Sequence, residues 1–298
     1  MNLENSASLV QVVPARPRPQ LTIANFVLGL ATAALVFPTM LGVAKYSWST
    51  EQGGHGPIVL VTGLWLLWRE HKAHPVAKRA GRPSYGVLTV GLCLTIYILA
   101  RITGILEIEA FAMYGALISG AYLLFGGKLI RSIWFPLVYL AFTLPPPDTV
   151  VAAITQPIKI LISQTAVSLL HFLGYPVANS GVTIQIGQYQ LLVAAACAGL
   201  NSIVTLGALC LFYVYLRHRS NPIAFLVVSL AAIPVAMFSN FIRVLALVLI
   251  TYHFGESAAQ GFVHDFAGLL MFAVALFSIF GIDQLASPLY RYAKRPEA

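Results

Sequence analysis

The sequence predicts an all-α membrane protein, a polytopic helical bundle of about eight transmembrane helices. Three observations carry that expectation. Of the 298 residues, 58% are hydrophobic and only 9% are charged, where a soluble domain carries about 25% charged residues. The mean hydropathy is +0.81. Apolar runs long enough to cross ~30 Å of hydrocarbon recur along the whole chain.

The runs fall at about 21–43, 56–69, 84–104, 109–126, 129–144, 190–216, 222–251 and 263–286. The first follows a polar stretch, 1–20, in which Arg16 and Arg18 stand among Pro14, Pro17 and Pro19. That stretch reads as a disordered cytoplasmic tail and not as a secretory signal. The second and fifth runs are short for a full crossing, which flanking polar residues or a thinned bilayer accommodates. Between the fifth and sixth, Pro145-Pro146-Pro147-Asp148 opens a long segment. Its middle, 158–173, places Lys159, Ser163, Gln164 and Ser168 among Ile and Leu. This is the pattern of an amphipathic helix lying on a membrane surface. The following 181–193 alternates enough for a short strand or hairpin. The expected organisation is a tail at 1–20, one membrane domain at 21–286 and a basic cytoplasmic tail at 287–298.

Basic residues orient the bundle. Arg69, Lys72, Lys78, Arg79 and Arg82 follow the second run, Lys128 and Arg131 the fourth, and Arg217 and Arg219 the sixth. With Arg16 and Arg18 and the tail residues Arg291, Lys294 and Arg295, these are fourteen of the 18 Lys and Arg. Eight spans put all fourteen on one side, and the excess of Lys and Arg marks that side as cytoplasmic. Both termini are then inside, and 44–55, 145–189 and 252–262 are outside. The formal charge of +8 is thereby explained. No compact basic patch interleaved with aromatics is present, so no nucleic-acid partner is expected. The expected surroundings are membrane lipid.

Three residues of the C-terminal third reach the outer level on this topology. Cys197 lies 20 residues before Arg217, ~30 Å of helical rise. Arg243 lies 24 residues beyond Arg219. His264 opens the last run from the outside. A cysteine among alanines is ordinarily a packing residue, but a helix N-terminus favours thiolate, the reactive species. Arg243 sits between AFLVVSLAAIPVAMF and VLALVLI. An ionisable group at that depth is expensive, and it is either functional or an interfacial anchor. Asn240, three residues earlier, shares its helix face and offers a further donor. His264, followed by Asp265, is either an interfacial cap or a general base. His253 competes with it in the same outer segment. Cys93 and Cys210 lie inside apolar runs and read as core. No Cys/His spacing suggests a metal, and no cofactor is expected.

These strings resemble the exosortase/archaeosortase family of membrane-embedded sorting enzymes. GHGPIVLVTGLWLLWRE (54–70), the PPPD segment and LGYPV (173–177) are similar to that family's early span and outer region. The set Cys…Asn-x-x-Arg…His maps onto Cys197, Asn240, Arg243 and His264. One departure is local: many members carry an acidic residue shortly before the cysteine and a serine after it, whereas Ala195, Ala196 and Ala198 surround Cys197. The resemblance implies a cysteine peptidase or transpeptidase at the outer face of a bacterial cytoplasmic membrane. Its substrates would be exported proteins with a C-terminal signal of PEP-CTERM type: a Pro-containing motif, a span and a basic tail. It implies Cys197 as nucleophile, His264 as proton partner and Arg243 with Asn240 as oxyanion donors. A transporter that uses Arg243 to hold an anion, or a non-catalytic component of envelope polysaccharide export, are the alternatives. Paired repeats and midplane polar groups, which a transporter favours, are not seen in the sequence.

Overall fold

A computed structural model describes residues 23–50, 53–73, 80–192, 201–255 and 262–292. The expected tails at 1–20 and beyond 292 lie outside the described residues. Helix α1 (Ile23–Val43) passes into a wider turn, Ala44–Trp48, and is followed by α2 (Gly56–Ala73), α3 (Pro83–Thr103), α4 (Leu106–Ser132), α5 (Trp134–Ala141) and α6 (Asp148–Phe172). Three strands come next, β1 (Val177–Ser180), β2 (Thr183–Ile186) and β3 (Tyr189–Leu192). The chain closes with α7 (Asn201–His218), α8 (Pro222–Phe254) and α9 (Phe262–Tyr292).

Apolar side chains cover the outside as well as the core. Phe26, Leu30 and Phe37 of α1 and Leu88, Leu92 and Ile102 of α3 are all more than half exposed. In water this would be a severe liability; against lipid tails it is the ordinary lipid-facing surface. Helices meet where small residues allow it. A Cβ at Gly115 of α4 would stand 2.9 Å from the Cys93 sulfur of α3, so that glycine sets how closely the pair approaches. Helix α8 is the hub. It packs on α7, α9, α6 and β3, and Ala224, Val228, Ala232, Val235 and Ala236 form a core with Cys210 and Val214 of α7 and Ala275 and Ile279 of α9. Around α5, Phe135 stacks on Tyr215 of α7 at 3.8 Å between centroids and joins Val59 and Leu66 of α2.

Ion pairs define one side of the bundle. Arg219 donates to Glu70 at 2.6 Å, tying the turn after α7 to the end of α2. Asp283 of α9 accepts from Arg217 Nε at 2.9 Å, His218 Nε2 at 2.6 Å and the Tyr213 hydroxyl at 2.7 Å. Gly81 N–H donates to the Leu123 carbonyl at 3.3 Å, just before α4 breaks at Gly126 (φ 79°, ψ 170°). The described basic residues Arg69, Lys72, Arg82, Lys128, Arg131, Arg217 and Arg219 therefore gather at one side, with the last third of α9. Trp48, His55 and Glu109 mark the opposite side, where the Trp48 indole N–H donates to the Thr143 carbonyl at 3.1 Å.

The all-α membrane class stands, but the count of eight spans is not reproduced. Among the described residues five helices are long and apolar enough to cross: Ile23–Trp48, Pro83–Thr103, Leu106–Ser132, Asp148–Phe172 and Pro222–Phe254. The run expected as a span at 129–144 differs for a local reason. The break at Gly126 and the turn at Ile133 leave α5 with 8 residues, ~12 Å of rise. The sixth run starts later than the expected residue 190, because Tyr189–Leu192 pairs as a strand. The expected hairpin is present and larger, an antiparallel sheet of three strands. The expected surface helix is longer, with 25 residues from Asp148 to Phe172. Its length suffices for a crossing, yet both its ends lie on the side opposite the ion pairs. Asp148 shares a cavity with His55 and Glu107, and the chain leaving its C-terminus brings Tyr175 against Tyr252 at the far end of α8.

Candidate active site

Arg243 is built into the hub. Asn221 caps α8 by accepting from the Ala224 N–H at 3.2 Å, and Pro222 occupies the first turn, where its missing N–H costs nothing. The helix then runs 33 residues through Pro234 and stops at Gly255, whose φ of 85° only glycine adopts without strain. Ser239, Asn240, Arg243, Val244 and Leu247 are all buried on it. Arg243 is 6% exposed and Asn240 0%. The structure thus brings Asn240 and Arg243 together on one helix face, one turn apart, inside a segment of hydrocarbon character. Holding a guanidinium there is costly.

Heights can be measured from the ion-pair level. Arg243 is 22 residues beyond Asn221, ~33 Å of rise. Asn201, the first residue of α7, precedes His218 by 17 residues, ~26 Å. His264, in the first turn of α9, precedes Asp283 by 19 residues, ~28 Å. The start of α7, the start of α9 and Arg243 therefore lie within about two helical turns of one level. Cys197 lies outside the described residues, four positions before α7. The backbone of His264 is described and its side chain is not. His253 is elsewhere: ten residues beyond Arg243, ~15 Å further out, exposed and edge-on to Tyr252 at 5.0 Å and Tyr175 at 6.1 Å.

A cavity of about 890 Å³ opens on the side opposite the ion pairs. Its wall includes one face of α6, where Asp148, Val151, Thr155 and Lys159 recur at helical spacing. Val204 of α7, seven residues after Cys197 in sequence, belongs to the same wall. Opposite stand His55, whose Nε2 lies 3.2 Å from the Phe142 carbonyl, and the acidic junction of α3 and α4. There Glu109, almost wholly buried, accepts from Thr39 at 2.7 Å and Arg101 at 2.8 Å. Sequence reasoning missed this cavity. Its residues are drawn from segments between 38 and 204, and no spacing announces them.

The sequence model of the transmembrane exosortase family matches residues 48–281. The chain belongs to that family. The matched range contains Cys197, Asn240, Arg243 and His264, and exosortases are in general a family of cysteine peptidases. No curated protein and no solved structure matches the chain.

Proposed function

We propose that this exosortase is a cysteine peptidase or transpeptidase that removes C-terminal sorting signals from exported proteins at the outer face of a bacterial cytoplasmic membrane. The observation that carries the reading is Arg243, a guanidinium 6% exposed beside the wholly buried Asn240, at the level where α7 and α9 begin. In the proposed reaction the Cys197 sulfur attacks the scissile carbonyl carbon after His264 takes its proton. The oxyanion that forms is held by Arg243, with Asn240 as a second donor. Arginine suits this role because its fork of donors is fixed in shape and always charged. The C–N bond then breaks, His264 returns the proton to the leaving amine, and a thioester remains on Cys197. Water or an acceptor amine resolves the thioester and regenerates the thiol. Neither a metal nor an organic cofactor is called for in this scheme.

The orientation proposed with it puts the ion-pair side and both termini in the cytoplasm and the cavity outside. Two experiments test the reading. The full chain is co-produced with a reporter protein ending in a PEP-CTERM-type tail, and precursor and product are separated by blot. Processing should vanish in Cys197→Ala at normal enzyme level. Persistent processing removes the nucleophile, and an unprocessed reporter whose cell-envelope export still depends on the chain favours the non-catalytic alternative. Separately, Gln188→Cys should react with a membrane-impermeant maleimide from outside, and a cysteine placed at Arg82 should not. Labelling of both from one side overturns the orientation.

A further inference from the structure

The small sheet has one face on the core, and its last strand is the described element that precedes the proposed nucleophile in the chain. Ile184 and Ile186 are wholly buried against Val244 and Val248 of α8 and Ala166 of α6, while Gln185 and Gln190 on the other face are exposed. The strand order β1-β2-β3 leaves β1 and β3 as edges. Turns of two residues close both hairpins, with Gly181 at φ 60° and Gly187 at φ 57° in the first turn position. In such hairpins the residues flanking the turn exchange both backbone hydrogen bonds. These are Ser180 with Thr183 and Ile186 with Tyr189. The next residue outward turns its N–H and C=O away from the partner strand. On β3 that residue is Gln190, and on β1 it is Asn179. Among the described residues no backbone bond joins β3 to anything except β2.

We infer that the free edge of β3 receives the extended segment of the substrate protein that precedes its membrane span, adding it to the sheet as a fourth strand. The inference rests on the cysteine-peptidase reading and specifies how the peptide is held. Leu192 is only five residues before Cys197 in the sequence, so β3 is the strand that adjoins the proposed nucleophile along the chain. Main-chain pairing needs no particular side chains and holds a peptide extended, the form in which a scissile carbonyl is accessible. The sheet also has the right height: it packs on α8 at Val244 and Val248, beyond Arg243. A protein whose C-terminal span crosses the bilayer emerges there. The other edge is less suited, because β1 is two strand spacings, ~9.6 Å, from the strand that precedes Cys197 in the chain.

Paired proline variants test this in the full chain. Gln190→Pro removes an outward N–H of β3 and leaves the β2 ladder untouched, since proline is tolerated on an edge. Asn179→Pro makes the equivalent change on β1. The processed fraction of the PEP-CTERM-type reporter should fall about tenfold or more in Gln190→Pro, the effect of one lost hydrogen bond and a displaced strand. Asn179→Pro should stay within about twofold of wild type. A photo-crosslinking amino acid at position 190 of a Cys197→Ala chain should capture the reporter tail, and one at position 179 should not. Unchanged processing in Gln190→Pro, equal loss in both variants, or equal capture from both positions overturns the inference. Capture at 190 without any cleavage by the wild-type chain leaves the edge standing and overturns the peptidase reading instead.

Discussion

The two ends of this bundle differ in how much of their charge is matched. On the basic side, charges are matched: Asp283, 1% exposed, accepts from three donors, and Glu70, equally buried, is held by Arg219. These groups lock α2, α7 and α9 in register. On the other side Arg101 and Glu109 are paired in the wall of a cavity, while Lys159, Glu107 and Asp148 line it with no ion pair formed by any of them among the described residues. Arg243 stands buried at a similar remove from the ion pairs. Matched charges consume one another's field and serve as fasteners, whereas charges around a cavity retain a field that a ligand can use. Under the proposed function, chemistry belongs to the cavity side and mechanical registration to the basic side.

The sharpest way to break the contrast is at His264. In the proposed scheme His264→Ala loses the group that moves the proton, a deficit of about 10²–10⁴-fold in rate. His253→Ala should remain within about twofold, because that imidazole stands ~15 Å beyond Arg243 along α8. The reporter assay, with initial rates of product appearance, reads both. A dead His253 variant beside an active His264 variant reverses the assignment of the base.

Arg243→Lys comes next. Charge is kept and the planar fork is lost, so a role in oxyanion geometry predicts a loss of about 10²–10³-fold in kcat. A role as a simple interfacial anchor predicts almost none. The comparison between ends sharpens here, because Arg219→Lys on the basic side keeps an ion pair with Glu70 available and should process the reporter at close to the wild-type rate.

Much of this division was legible in the sequence, and the reasons are physical. Arg243 and Asn240 stand out because an ionisable group in an apolar run carries a large desolvation cost that sequence alone exposes. The gathering of Arg82, Arg131 and Arg217 on one side follows from the positive-inside rule. Helix ends were less legible. The expected sixth run, 190–216, overlaps the expected hairpin, 181–193, and the overlap goes to the sheet, where Tyr189–Leu192 pairs with Thr183–Ile186. Gly126, whose φ of 79° leaves the helical region, stands where the expected fourth run ends, but the helical turns from there to Ser132, which leave α5 only 8 residues, are not recorded in hydropathy. The cavity was invisible, since Glu109, Lys159 and His55 meet only in three dimensions.

Asp283→Asn tests the fastening role. Breaking a buried ion pair costs roughly 3–5 kcal/mol, and the half exposure of Arg217 places this case toward the lower figure. The midpoint of unfolding in detergent should drop clearly, and the amount of enzyme in the membrane with it. Product formed per surviving molecule should be close to wild type. A fall in the rate per molecule as large as that of Arg243→Lys would mean that the basic side reaches into the reaction, and the division between the two ends would fail.

The smallest expected effect separates the cysteines. Cys210 is 2% exposed, packs in the core between α7, α8 and α9 and donates weakly to the Val228 carbonyl at 3.6 Å. Cys93 faces Gly115 between α3 and α4. Truncating either sulfur removes contacts and leaves a small cavity, about 1 kcal/mol of stability in a well-packed core. Neither residue lines the cavity, so Cys93→Ala and Cys210→Ala should each process the reporter within about twofold of wild type. The double variant should do the same, since Cys93 faces Gly115 between α3 and α4 while Cys210 packs among α7, α8 and α9, and their costs should add. A chain whose only cysteine is Cys197 then becomes the right material for thiol labelling: an alkylating reagent applied from outside should stop processing in step with its incorporation. Inactivation of Cys210→Ala at normal protein level would instead place an essential thiol some nine helix residues from the first described residue of α7, ~14 Å toward the fastened end, and the cavity side would no longer be the seat of the chemistry.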